Sequence, residues 1–260
     1  MKNSPDKKRK GSPSAITYGD VFRIGDRHAL ACGDARDAAL VAKVLGTEKV
    51  KLVLCDVPYG VAFVESKESF AKIRVKKKIL NDEIVSESQY AQFTKDWIVP
   101  LLPHLAAKNA AFIFNSDKML FALRAGMESA GMKFSQLLIW LKDHSIVGRK
   151  DYLPQHELIA YGWVGTHEVR KKDHSLLFYP KSSSSALHPT QKPTGLLRRL
   201  ILNSTKPGDL VYDCFAGSGS TGIAAEEVRR RSVLIERDEE YCRVILDRFE
   251  RNFDLKARRV

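Results

Sequence analysis

Short, nearly unbroken apolar runs alternate along this chain with longer segments of helical spacing. Lys51-Leu52-Val53-Leu54-Cys55 and Ala110-Ala111-Phe112-Ile113-Phe114 hold almost no polar position, the pattern of strands buried on both faces of a parallel sheet. His28–Cys32, Gln136–Leu141, Glu157–Tyr161, Asp209–Asp213 and Ser232–Glu236 read as further strands. Residues 35–46, 86–105, a stretch ending near 130, 195–204, 220–229 and 239–253 read as helices. In 195–204, Leu196, Leu197, Leu200 and Ile201 share one face. Alternating strands and helices predict a three-layer α/β fold with a mostly parallel sheet.

Three segments break the pattern. Residues 1–15 are basic and rich in Ser and Pro, and read as a disordered tail before a domain spanning 16–260. Residues 62–82 hold several lysines without periodicity and read as a mobile basic loop. Residues 165–187 are polar and basic, end in four serines, and read as an insert outside the core.

Composition narrows the class of partner. The chain of 260 residues carries 43 basic and 31 acidic side chains, a net charge of +12. Such an excess points to an anionic partner, most simply nucleic acid, with a solvated basic surface as the plain alternative. The four cysteines stand far apart with no CxxC pair, so neither zinc nor a disulfide framework is expected. No apolar run approaches the ~20 residues that span a bilayer, and residues 1–15 lack the apolar core of a signal peptide. These features predict a cytoplasmic protein without a metal.

Candidate chemistry clusters at strand ends. Asp34, Asp56, Asp213 and Glu236 each close an apolar strand, and ligand sites in such sheets gather at the carboxyl ends of the strands. Gly217-Ser218-Gly219-Ser220-Thr221-Gly222 matches GxGxxG between a strand and a helix. Glu236 follows Gly217 by 19 residues, the spacing of an acid that binds ribose hydroxyls. A nicotinamide dinucleotide site shows the same pattern. Asp213 favours another ligand, because an acid beside the loop repels a pyrophosphate and suits an ammonium. S-adenosylmethionine has such an ammonium, a sulfonium and no phosphate. Phe215 would wall that cofactor.

Two more motifs complete the set: Asp56-Val57-Pro58-Tyr59 after the apolar run, and His188-Pro189-Thr190-Gln191-Lys192-Pro193 before the glycine loop. In this order the blocks resemble the β-class DNA amino-methyltransferases, which use S-adenosylmethionine to methylate adenine N6 or cytosine N4. The resemblance runs from about residue 20 to 252. It implies a Rossmann-like methyltransferase fold with a small inserted recognition segment at 165–187. It also implies a cofactor site of Asp34, Asp56, His188, Thr190, Lys192, Pro193, Asp213, Phe215, Ala216, Gly217, Ser218, Gly219, Thr221 and Glu236. Within that site Asp34 would meet the adenine, Glu236 the ribose, and the His188–Pro193 segment the methionine end.

The catalytic set implied is Asp56, Val57, Pro58 and Tyr59. An exocyclic amine is a poor nucleophile because its lone pair is delocalised into the ring. Acceptors that hold its protons favour a pyramidal nitrogen aimed at the sulfonium methyl, so positioning and electrostatics carry most of the rate. Asp56 supplies one acceptor and the backbone carbonyl of Val57 the other, while Tyr59 stacks on a base flipped from the duplex. The family has proline where Val57 stands. Val57 precedes Pro58 and is still biased to extended backbone.

Lys76, Lys77, Lys78, Arg149, Lys150, Lys171 and Lys172 are suited to backbone phosphates of double-stranded DNA. Asp56 as first residue of its motif leans the target towards adenine, with cytosine N4 as the alternative. A nicotinamide-dependent oxidoreductase leaves Asp56–Tyr59 and His188–Pro193 unexplained, and a DNA-binding module without catalysis is the non-enzyme rival. The resemblance further permits a homodimer and a cognate restriction endonuclease.

Overall fold

The computed structural model describes residues 15–59, 85–145, 151–167, 169–181 and 192–260. Ten strands form one sheet: β1 (Val21–Ile24), β2 (His28–Cys32), β3 (Val50–Asp56), β4 (Leu105–Asn115), β5 (Lys133–Leu141), β6 (His156–Trp163), β7 (Leu176–Phe178), β8 (Leu210–Asp213), β9 (Arg231–Glu236) and β10 (Ala257–Arg259). Their order is β10-β1-β2-β9-β8-β3-β4-β6-β5-β7. Only β1 and β6 run against the other eight. The sheet is therefore mixed but mostly parallel, as the apolar runs predict.

Among the described residues six helices cover it: α1 (Ala38–Leu45), α2 (Glu87–Ile98), α3 (Leu120–Ser129), α4 (Thr194–Ser204), α5 (Ser220–Glu227) and α6 (Glu239–Phe253). Successive strand residues point to opposite faces. Val53, Cys55, Ala111, Ile113 and Tyr212 bury one face under α1, α2 and α3. Leu52, Leu54, Phe112, Phe114 and Val211 bury the other under α4 and α5, and α6 closes it over β2 and β9. This is a three-layer core.

Helix ends follow local chemistry. Asp37 caps α1 by accepting from the amides of Ala39 and Leu40, so the helix starts after the segment expected from 35. Ser86 and Gln89 form a reciprocal capping box at α2. The helix expected over 86–105 ends at Ile98 and tightens into a 3-10 turn over Val99–His104, where Pro100 and Pro103 cannot donate to an α-helical ladder. Three strands escape the apolar pattern: β1, β7 and β10 lie at or near the edges and are three or four residues long.

Segment 165–187 is partly drawn into the sheet. Leu176–Phe178 pairs with β5 and buries Leu177 against the core. Residues 62–82 and, apart from Ala15, residues 1–15 lie outside the described residues. The arrangement also explains where a site must form. From β8 the chain crosses through α5 to β9 on one side, and from β3 through α2 to β4 on the other. The carboxyl ends of β3 and β8 thus border the crevice where connections diverge.

Candidate active site

β3 and β8 lie side by side with Val53 opposite Tyr212. That register brings the ends of the Asp56 and Asp213 strands together, and the thiols of Cys55 and Cys214 approach to 3.6 Å beneath them. Both thiols are buried with raised pKa, first through loss of water, which makes them packing groups rather than nucleophiles.

The glycine loop is built to meet a cation. Asp213 is buried and accepts from the amide of Phe215 at 3.0 Å and from the hydroxyl of Thr221. Glu236 accepts from the amides of Gly217 (2.7 Å) and Asp238 (2.8 Å), one on each oxygen. Burial pushes each acid up to about 7, against the pull of those hydrogen bonds. Among the described residues no basic side chain pairs with either. Each carboxyl keeps lone-pair capacity for a ligand. Glu236 occupies the loop amide that a phosphate would need, and two acids flank the loop, so a pyrophosphate fits poorly. A ligand with an ammonium or sulfonium and free ribose hydroxyls fits, as S-adenosylmethionine has.

The loop itself is fixed from below. Gly219 has φ +82°, and a Cβ there would meet Ile245 Cγ1 at 2.9 Å, so both conformation and space demand glycine. Ser218 turns its carbonyl and hydroxyl to Arg248 at 2.6 and 3.2 Å. Its side chain thereby anchors the loop to α6. Ala216 is tied to β9 through the carbonyl of Ile235 at 3.0 Å. Phe215 rests on Phe93 and Trp97, with ring centroids 5.8 and 5.7 Å away.

Asp34 sits at the end of the β2 run, beside β9. Arg36 holds it through Nε and Nη2 at 3.0 and 2.7 Å. Burial works to raise this carboxyl, but the Arg36 bonds dominate and hold it below its usual range.

The Asp56 turn is held with equal care. Val57 is buried in the core, and the carbonyl of Pro58 accepts from Tyr90 at 2.8 Å. Asn115, at the end of β4, donates to the same phenol oxygen at 2.8 Å. These anchors supply rigidity where the family has a second proline. The Asp56 side chain is 26% exposed, open to an incoming group.

One finding lay outside the reading of the sequence. Lys192, expected at the methionine end of the cofactor, meets two acids: its ammonium lies 2.5 Å from Asp56 Oδ2 and 3.2 Å from Glu157 Oε2. The Tyr59 hydroxyl stands 3.0 Å from Asp56 Oδ1 and 3.2 Å from Glu157 Oε2, and its one proton serves either acceptor. Lys142, itself buried, pairs with Glu157 Oε1 at 2.8 Å. Two cations and two acids therefore form one neutral cluster. Burial tends to lower Lys192, but Asp56 and Glu157 reverse this and raise it. Burial also tends to raise Glu157, yet the two lysines pull it down to about 2. Asp56 is held above its ordinary value by burial, with Glu157 adding to the effect and Lys192 opposing it. Glu157 and Lys142 were visible in sequence only as polar residues inside or just after apolar strands.

Not every expected residue converges. Pro193 leads into α4 beside Lys192. Lys171 and Lys172 lie by Asn203, whose carbonyl accepts from the amide of Arg170 at 3.0 Å and from that of Lys171 at 3.4 Å. Asn203 is near the far end of α4, about 15 Å along the helix from Lys192. His188, Thr190, Lys76, Lys77, Lys78, Arg149 and Lys150 lie outside the described residues. No cluster of metal-ligating side chains occurs among the described residues, and no described helix is long and apolar enough to cross a membrane.

Comparison with known proteins places this geometry in context. Residues 163–247 match the N6_N4_Mtase family model, described as DNA methylase. The Type II methyltransferase M2.DpnII of Streptococcus pneumoniae is 24% identical over 223 residues, covering 78% of this chain and 83% of that protein. The structure of PvuII DNA methyltransferase (cytosine-N4-specific) superimposes with a TM-score of 0.69 at 18% identity, covering 88% of each chain. The M1.HpyAVI–SAM complex gives a TM-score of 0.61 at 21% identity, covering 84% of this chain and 98% of that one.

Proposed function

We propose that this chain, an S-adenosylmethionine-dependent DNA amino-methyltransferase of the N6/N4 family, methylates the exocyclic N6 of adenine at a specific site in double-stranded DNA. The observation that carries the reading is the adjacency of Asp56 and the Asp213–Glu236 cation site at the diverging ends of β3 and β8. S-adenosylmethionine, when bound, supplies an electrophilic sulfonium methyl. Asp213 and Glu236 bind and orient it, Asp213 toward the ammonium and Glu236 toward the ribose. Asp34 serves the adenine end and Phe215 walls the site.

The target base leaves the duplex at a cost of a few kcal/mol, offset in part by stacking on Tyr59. Asp56 and the carbonyl of Val57 accept the two amino protons and aim the nitrogen lone pair. Lys192 gives up its place on Asp56 to the incoming amine. Preference for adenine rests on aspartate, rather than serine, as first residue of the turn. DNA phosphates engage the basic loop residues Lys76, Lys77 and Lys78, with Arg149 and Lys150. Lys171 and Lys172 complete the proposed basic set. The Type II designation of the pneumococcal relative supports a partner restriction endonuclease, and a second copy of the chain is the other partner the family resemblance permits.

The test is direct. The protein is incubated with mixed-sequence DNA and isotope-labelled S-adenosylmethionine, and the digested nucleosides are identified by mass spectrometry. Labelled N6-methyladenine is expected. Labelled N4-methylcytosine would keep the mechanism and change the base. No label in either, with no cofactor binding, would overturn the reading.

A further inference from the structure

In the structure both oxygens of Asp56 are already taken, Oδ1 by the Tyr59 hydroxyl and Oδ2 by the Lys192 ammonium. Each oxygen can accept once more, but an amine that takes the Lys192 position on Oδ2 requires Lys192 to withdraw. Lys192 is buried, and a buried cation stripped of its partner costs several kcal/mol. Glu157 removes that obstacle. Its Oε2 already stands 3.2 Å from the Lys192 ammonium and 3.2 Å from the Tyr59 hydroxyl. Its other oxygen is pinned by Lys142, and β6 holds its backbone opposite Trp140. A short move of Lys192 exchanges one carboxylate for another without leaving the ammonium unpaired.

We propose that Glu157 is a positioning residue of the methyl-transfer reaction, the station that receives Lys192 and the Tyr59 hydroxyl when the amino group of the target base takes their place on Asp56. This inference rests on Asp56 being the acceptor of that amine. Lys142 fixes the station by neutralising it, so the cluster stays neutral before and after the exchange.

Glu157→Gln removes the charge at nearly constant shape. Lys192 then stays on Asp56, and duplex binding, which rests on phosphates, is spared. Initial rates at saturating unmethylated phage DNA should fall at least tenfold, while the cofactor dissociation constant and the DNA KM stay within about twofold. Glu157→Asp should recover part of the rate. The pH profile separates this role from mere packing. The titratable groups facing Asp56 are Lys192, Glu157, Asp213 and the neutral Tyr59 phenol. Deleting the Glu157 charge lets Asp56 ionise more easily, so the acid limb of the rate moves to lower pH.

Glu157→Gln strands the buried Lys142, so a second variant guards against misfolding. Lys142→Met with Glu157→Leu removes both charges, a replacement that buried pairs often tolerate. It should fold and remain slow. A wild-type rate in the double variant would mean that Glu157 only neutralises Lys142, and would overturn the inference. So would an unshifted acid limb or a wild-type rate in Glu157→Gln. A wild-type chain that binds cofactor but labels no DNA would instead remove the reaction and this inference with it.

Discussion

Asp213→Asn should make the protein more stable and a poorer binder of its cofactor. The wild-type carboxyl rises from an ordinary 3.8 to about 7, first because burial strips its water. Each pKa unit is worth 1.36 kcal/mol, so ionising Asp213 in the folded chain costs about 4 kcal/mol. The folded state holds this proton between about pH 4 and 7 while the unfolded state has lost it. Stability therefore falls as pH rises through that window, by at most ~1.4 kcal/mol per unit, and levels off above it. Asparagine keeps an oxygen for the Phe215 amide and has no charge to bury. Urea denaturation should find the variant equal to wild type near pH 4 and about 2–4 kcal/mol more stable at pH 8. Calorimetric titration at pH 8 should find S-adenosylmethionine bound at least tenfold more weakly. A stability difference that does not grow with pH would refute the burial account. Unchanged affinity would refute the ammonium role.

Three further outcomes follow from the same geometry. Asp56→Ala should abolish labelled methyl transfer while DNA affinity, measured by fluorescence anisotropy, falls less than about threefold; a fully active variant would remove the amine-holding mechanism. Glu236→Ala should weaken cofactor binding by tenfold or more, and an unchanged dissociation constant would reject its ribose role. Val57→Pro should leave the methylation rate intact or raise it, because Tyr90 already clamps the Pro58 carbonyl; complete loss would show that the turn departs from the family geometry.

Burial of the central strands on both faces makes their sequences nearly all apolar, so β3, β8 and β9 were legible with ends close to those observed, whereas β4 was read only over its buried half and begins five residues earlier, in an exposed stretch. Caps and prolines act within a turn of the chain, which is why α6 was read residue for residue. The glycine loop and the acids closing each strand were equally readable, since their chemistry depends on near neighbours. The short strands β1, β7 and β10, at or next to the edges, were not, because they lack the run of apolar residues that burial on both faces imposes even on the four-residue β8.

The distant pairings belong to the tertiary structure alone. Asp56 and Lys192 are 136 residues apart, and Tyr59 and Glu157 are 98 apart. Their meeting depends on β3 lying between β8 and β4, on β6 reversing direction, and on α4 starting at the catalytic end of the sheet. A local pattern reports which face of an element is apolar and where it stops. Which strand lies beside which is settled by how all the apolar faces are buried at once, and that choice turned four scattered charged residues into one neutral cluster.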